Sequence, residues 1–224
     1  MALTLTQVVA RLSKFYGAPT PPAVTDPFEQ VLWENVVYLA DDEKRAAAFA
    51  ALRKTVGLTP NDILKARPEK LLAVTRMGGM VPEPRAQRLR QIAEIAEILL
   101  KGKLNEALDE SLAAAKKTLR RFPTIGEPGA EKILMFAGKY PVLGLESNGL
   151  RVLLRLGFAE EQKSYSASYR AIKNALSGKL PDDCKSLVAT HQVLRRHGQE
   201  LCKRSRPLCD ECPLQDSCAY AGAL

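Results

Sequence analysis

Four cysteines fall within the seventeen residues Cys202–Cys218 of a 224-residue chain that has one other, Cys184. The spacing, C-x6-C-x2-C-x5-C, puts four soft sulfur ligands on one short loop. Four thiolates satisfy the tetrahedral demand of a zinc ion, and equally a cubane cluster in which each iron takes one thiolate. So many thiols with nothing to bind would be a reactive liability, and the spacing leaves zinc and iron–sulfur both open. Cys184 stands apart and reads as a small, buried apolar residue.

The N-terminal "MALTLTQVVARLSKFYG" is too short and too interrupted in its apolar residues to span a membrane, and no cleavage pattern follows it. The chain therefore reads as cytoplasmic, nucleoid-associated if bacterial, in a compartment where thiols stay reduced and clustered cysteines bind metal. A net charge of +8 and a pI near 9.3 favour a polyanionic partner such as nucleic acid over an anionic membrane surface, and the chain is expected to act as a monomer. Within the cysteine loop, "CKRSRPLC" would hold Lys203, Arg204 and Arg206 where they can face phosphates.

The elements that must position these groups are helices. From Asp26 to about Leu119 the segments "PFEQVLWENVVYLA", "DEKRAAAFAALRKTV", "PNDILKA", "PEKLLAVTRM", "RAQRLRQIAEIAEILL" and "NEALDESLAAAKKTLRRF" repeat apolar residues every three or four positions. No alternating strand pattern competes. After Phe122 come "AEKILMFAGKY", "LESNGLRVLLRLGF", "SYSASYRAIKNAL" and the long "DDCKSLVATHQVLRRHGQEL", which runs into the cysteines. The fold class is all-α, with two helical lobes, 21–126 and 1–20 plus 127–224, and a cleft between them for substrate. "KKTLRRFPTIGEPGAEKILMF" has the form of helix, tight turn and helix. In such a hairpin the backbone amides around Ile125, Gly126 and Gly129, together with the second helix's N-terminal dipole, can meet a phosphate without reading a base.

The segment "HQVLRRHGQELCKRSRPLCDECPLQDSC", with His191, His197 and Gly198 ahead of the first cysteine, resembles the C-terminal part of the endonuclease III class of helix-hairpin-helix DNA glycosylases. The resemblance implies a [4Fe–4S] cluster on Cys202, Cys209, Cys212 and Cys218 in place of zinc. It extends to the hairpin, whose family turn reads Leu-Pro-Gly-Val-Gly and here reads Phe122-Pro123-Thr124-Ile125-Gly126. Thr124 replaces a glycine where positive φ is expected, Glu127 adds a negative charge beside the phosphate position, and a weakened DNA grip follows.

In "GLESNGLRVLLRLGF" the resemblance places Glu146 where the family keeps a catalytic aspartate, with Asn148, Arg151 and Val152 in register and Arg151 among the DNA contacts. The plain alternative for Glu146 is a helix N-cap. The lysine of strand-cutting members falls on Pro128, which has no amine to offer; Lys132 and Lys139, further along the same helix, are either substitutes for it or, as the favoured reading, a solvated face. "DPFEQVLWENVV" resembles the helix of adenine-removing members and puts Glu34 at their catalytic glutamate, where burial among apolar neighbours would hold it protonated as a general acid; the alternative is an exposed polar position on the wet face of the helix. Tyr38 and Leu39 occupy the place of the residue that fills the gap left by an extruded base, with core packing as the alternative for Leu39. Arg85, Arg88 and Arg90 of "RMGGMVPEPRAQRLRQ" either track the DNA backbone or are solvated.

These readings converge on a DNA repair glycosylase that binds duplex DNA, flips a damaged or mispaired base and hydrolyses its N-glycosidic bond without lysine lyase chemistry. The alternative is a catalytically inactive DNA-binding protein on the same scaffold that recognises distorted DNA or junctions.

Overall fold

A computed structural model describes residues 3–223 and contains helices and turns, with one isolated bridge between Tyr38 and Gly79 as the sole extended pairing among the described residues. No helix among them is long and apolar enough to cross a membrane. The chain divides into two compact units, Val24–Lys139 and Met1–Ala23 with Tyr140–Leu224. The boundary falls after Lys139 rather than after Gly126, because the second hairpin helix packs against its hairpin partner and against the helix that opens the central unit.

The central unit runs α2 (Pro27–Val36), α3 (Asp42–Thr55), α4 (Pro60–Lys65), α5 (Pro68–Thr75), α6 (Pro82–Glu94), α7 (Leu104–Ala107), α8 (Leu112–Leu119) and α9 (Glu127–Phe136). Starts are set by side-chain caps: Asp26 accepts from Glu29 N at 2.9 Å with Pro27 in the first turn, and Asp41 accepts from Lys44 N at 2.8 Å. Val31, Leu32, Val36, Phe49, Leu52, Ile63, Leu89 and Ile92 form the core of this unit. The long helix expected over 105–122 is two helices, since Ser111 leaves the helical region and caps Ala114 N, restarting the chain as α8. α2 likewise ends four residues early. Val37 is extended, Tyr38 pairs with Gly79, and Leu39 takes a left-handed φ of 52°. α6 continues into one π-helical turn, Ile95–Leu99.

The other unit is built from α1 (Leu5–Tyr16), α10 (Ser147–Arg155), α11 (Tyr165–Ala175), α12 (Cys184–Glu200) and the cysteine loop. α1 has no counterpart in the sequence reading, although Thr4 and Gln7 form a complete capping box and Leu5, Val8 and Leu12 line one buried face. It packs on α12. α12 also packs on α10 at close range: a Cβ on Gly198 would lie 2.7 Å from the backbone oxygen of Asn148, so glycine is required there for contact rather than for its torsions. Cys184 is half-buried in the first turn of α12 rather than in the core, and burial raises its thiol pKa.

Candidate functional site

The four loop cysteines line one small apolar pocket together with Val152, Leu156, Leu201, Leu208 and Leu214. Among the described residues no three His, Cys, Asp or Glu side chains converge closely enough to hold a single ion. Four thiols facing one pocket fit a cubane in which each iron takes one thiolate. Hydrogen-bond donors surround the sulfurs: Arg155 Nη1 lies 3.4 Å from Cys202 Sγ, and Leu214 N donates to Cys212 Sγ at 3.4 Å. Arg155 also donates to the carbonyls of Lys203 and Arg204 at 2.7 and 3.1 Å and stacks on Tyr220. With these carbonyls tied inward, the side chains of Lys203, Arg204 and Arg206 stand exposed to solvent.

Glu146 is the N-cap of α10. Its Oε1 accepts from Gly149 N at 2.8 Å and its Oε2 from Asn148 Nδ2 at 2.7 Å, while the side chain remains half-buried. The N-cap reading thus holds, and it leaves lone pairs to spare, because a carboxylate offers about four acceptor sites. Asn148 is oriented in turn by Arg151 Nη2 at 2.8 Å. Arg151 itself, placed among the DNA contacts from sequence, is used internally: Nη2 donates to Gly198 O at 2.7 Å and Nε to Cys202 O at 2.9 Å.

The strand of chain that delivers Glu146 is held by its carbonyls. Tyr169 and Lys173 donate to Leu143 O, His191 Nδ1 lies 2.6 Å from Gly144 O, and Tyr165 donates to Leu145 O at 3.3 Å. Burial, with the Glu146 carboxylate as a second cause, pushes the Tyr165 phenol up to about 12, so it remains a neutral hydroxyl beside the acid. Tyr165 is 46% exposed, an aromatic face at Glu146 that the sequence reading missed. Its spacing from Tyr169 on one helical face was the available signal.

In the hairpin, Thr124 has φ 66°, the conformation for which glycine is the usual residue. The strain is held by Asn35 of α2, which is buried: Thr124 Oγ1 donates to Asn35 Oδ1 at 3.0 Å, and Asn35 Nδ2 donates to Pro123 O and Val31 O. The amide of Ile125 goes to Phe122 O at 3.3 Å and its side chain is buried, so its donor is used within the turn. No side chain caps α9, so the amides of Gly126 and Gly129 sit at a helix start open to an anion, with one donor fewer because of Pro128. Glu127 does not stand as an uncompensated charge. Lys116 of α8 reaches both Glu127 and Glu131, at 2.6 and 2.7 Å, and braces the two helices.

Glu34 differs most from its sequence reading. It forms an ion pair with Lys132 Nζ at 2.8 Å, the lysine side chain only 14% exposed, so the acid is a charge-compensated carboxylate and not a neutral donor isolated by apolar neighbours. Lys132 is accordingly no solvated residue, and neither is Lys139, which meets Asp109 Oδ1 at 2.6 Å. Leu39 is not core either: it is 74% exposed, with Tyr38 half exposed beside it. Met77, Met80 and Val81 of the α5–α6 loop are exposed too, Val81 at a left-handed φ of 48°. Arg85, expected at a phosphate or in solvent, is buried. It donates to Val36 O, Thr75 O, Met80 O and Gly79 O at 2.7, 2.8, 2.8 and 3.2 Å, tying together the chain on both sides of these tips. Arg88 is half-buried, and exposed Arg90 pairs with Glu94 at 3.7 Å.

Residues 202–218 match the iron–sulfur binding domain of endonuclease III. The chain is 28% identical over 199 residues to the endonuclease III of Thermotoga maritima, across 88% of this chain and 84% of that protein. It is 27% identical over 164 residues to the thymine-DNA glycosylase of Aeropyrum pernix, across 72% of this chain and 68% of that one. A trapped endonuclease III–DNA covalent intermediate shares the fold with a TM-score of 0.76 at 20% identity, over 99% of this chain and 98% of that structure. The cofactor of the cysteine loop is a [4Fe–4S] cluster, and zinc is set aside.

Proposed function

Since the chain belongs to the helix-hairpin-helix DNA glycosylase superfamily, we propose that it is a DNA repair glycosylase: it holds duplex DNA, extrudes a damaged or mispaired base and hydrolyses the N-glycosidic bond. The observation that carries this reading is Glu146, a half-buried carboxylate fixed through both oxygens at the start of α10. As the C1′–N bond lengthens, its electron pair leaves with the base and positive charge grows on the sugar. A fixed anion beside that carbon stabilises the cation and can take a proton from the water that adds to C1′. Asn148 and Arg151 keep the acid in register, which matters because positioning is worth several kcal/mol. When bound, the [4Fe–4S] cluster supplies a rigid inorganic cross-link for the loop; Lys203, Arg204 and Arg206 would meet phosphates from it.

Glu34 enters as a carboxylate bound to Lys132 rather than as the acid that protonates the base. Strand cutting through an amine is not part of this proposal, because Pro128 lacks one and Lys132 and Lys139 are held in ion pairs. Tyr38 and Leu39, with Met80 and Val81, supply the apolar tips that fill the space of the extruded base. Leu39→Ala should then lower the fluorescence gain of 2-aminopurine placed beside the lesion, because the wedge that helps offset the unstacking cost of about a few kcal/mol is gone, with little change in affinity for undamaged duplex.

The test is incubation with duplexes carrying damaged and mismatched bases, followed by alkali to reveal abasic sites, with a parallel borohydride reaction. Released base and no trapped adduct support the reading. Tight, salt-sensitive binding with no base released across a broad panel would assign the chain to shape recognition of distorted DNA instead.

A further inference from the structure

His197 sits at the last turn of α12, only 2% exposed, with its two ring nitrogens facing different groups. Nε2 lies 3.5 Å from Cys212 Sγ, and Nδ1 lies 3.1 Å from the hydroxyl of Tyr16, a residue 181 positions away in sequence. A cysteine sulfur that ligates iron can only accept, so the imidazole bonds to it only when Nε2 carries the hydrogen. With the hydrogen of a neutral ring on Nε2, Nδ1 must accept. The Tyr16 hydroxyl is the donor that fixes this arrangement.

α1 is fastened so as to keep the phenol there. Arg196 stacks on the Tyr16 ring at 4.6 Å and its Nη1 donates to Tyr16 O at 3.1 Å, while Arg11 reaches Asp216 in the cysteine loop at 2.7 Å. The other donors to the sulfurs, the Arg155 guanidinium and the Leu214 amide, always carry their hydrogens. The ring of His197 does not: its contribution depends on which nitrogen is protonated.

We propose that Tyr16 is a positioning residue for the iron–sulfur cluster: its hydroxyl selects the His197 tautomer that donates to Cys212 Sγ, and through that hydrogen bond sets the cluster's reduction potential. Hydrogen bonds to cluster sulfurs stabilise the electron-richer reduced state and raise the potential. This assignment rests on the cluster and not on the glycosylase reading.

The test uses the purified holoprotein, with the reduction potential and the Fe–S(Cys) stretching bands measured by spectroelectrochemistry and resonance Raman. Tyr16→Phe should retain its iron and move the couple to more negative potential. A tenfold change in the reduced-to-oxidised ratio corresponds to about 59 mV for one electron. Gln7→Ala, which breaks the capping box at the other end of α1 and changes no charge, should leave the potential in place. In a His197→Gln background, whose amide can donate to sulfur unaided, Tyr16→Phe should have no further effect. Equal shifts in Tyr16→Phe and Gln7→Ala, or an unchanged potential and unchanged Raman bands in Tyr16→Phe, would overturn the assignment. If Tyr16→Phe sheds its iron, site-specific 3-fluorotyrosine at position 16, a near-isosteric and stronger donor, decides: a shift to less negative potential supports the proposal and no shift overturns it.

Discussion

Glu146→Gln should slow base release by about 10³-fold while leaving DNA affinity within a factor of a few, the size of loss expected when one fixed charge is withdrawn from a developing cation. The amide can still accept from Gly149 N, so the start of α10 is kept and the fold is not the cause. What disappears is the negative charge, along with any capacity to accept a proton from water. Asn148→Ala should give a smaller loss in the same direction, since it frees one oxygen of the acid but removes no charge. Single-turnover rates at saturating enzyme separate these effects from binding.

Cys209→Ala should abolish the broad visible absorbance of the holoprotein and lower its melting temperature by ~10 °C, the shift of roughly 4 kcal/mol in a chain of this size. The physical reason lies in the composition of the loop. Between Cys202 and Ala223 the one buried apolar side chain is Leu214, so the segment has almost no core of its own and depends on the cofactor for order. The rise from Val24 to Lys139 contains its own apolar centre and should keep its amide protection in the same variant. Loss of protection confined to α10, α12 and the loop, measured by hydrogen exchange, is the expected pattern.

Much of the architecture was legible because amphipathic spacing and caps are local signals. α3, α5 and α12 lie close to where periodicity places them, and the cysteine spacing marks the cluster loop directly. What was not legible depends on pairings across long sequence distances. Glu34 is a carboxylate in an ion pair because Lys132 lies opposite, 98 positions later, and no property of α2 reveals that. Arg151 and Arg85 carry the same charge as Lys203 and Arg204, yet they are internal ties, since each meets backbone carbonyls that only the folded chain brings together. Thr124 was read correctly as a strained substitution, but its remedy, the buried amide of Asn35, belongs to another helix. α1 is marked in the sequence by its capping box, Thr4 with Gln7, although its apolar residues are too few and too interrupted to suggest a membrane or signal segment.

The discontinuity of one unit bears on how the protein is made. As the chain leaves the ribosome, Val24–Lys139 has all its partners at hand and can become native early, whereas α1 must wait for α12, more than 160 residues later, before its buried face is covered. During that interval Leu5, Val8 and Leu12 are an exposed apolar stripe on the nascent polypeptide. The fourth cluster ligand is present only once Cys218 has been made, so a shortage of cofactor should leave a half-formed species rather than an unfolded one.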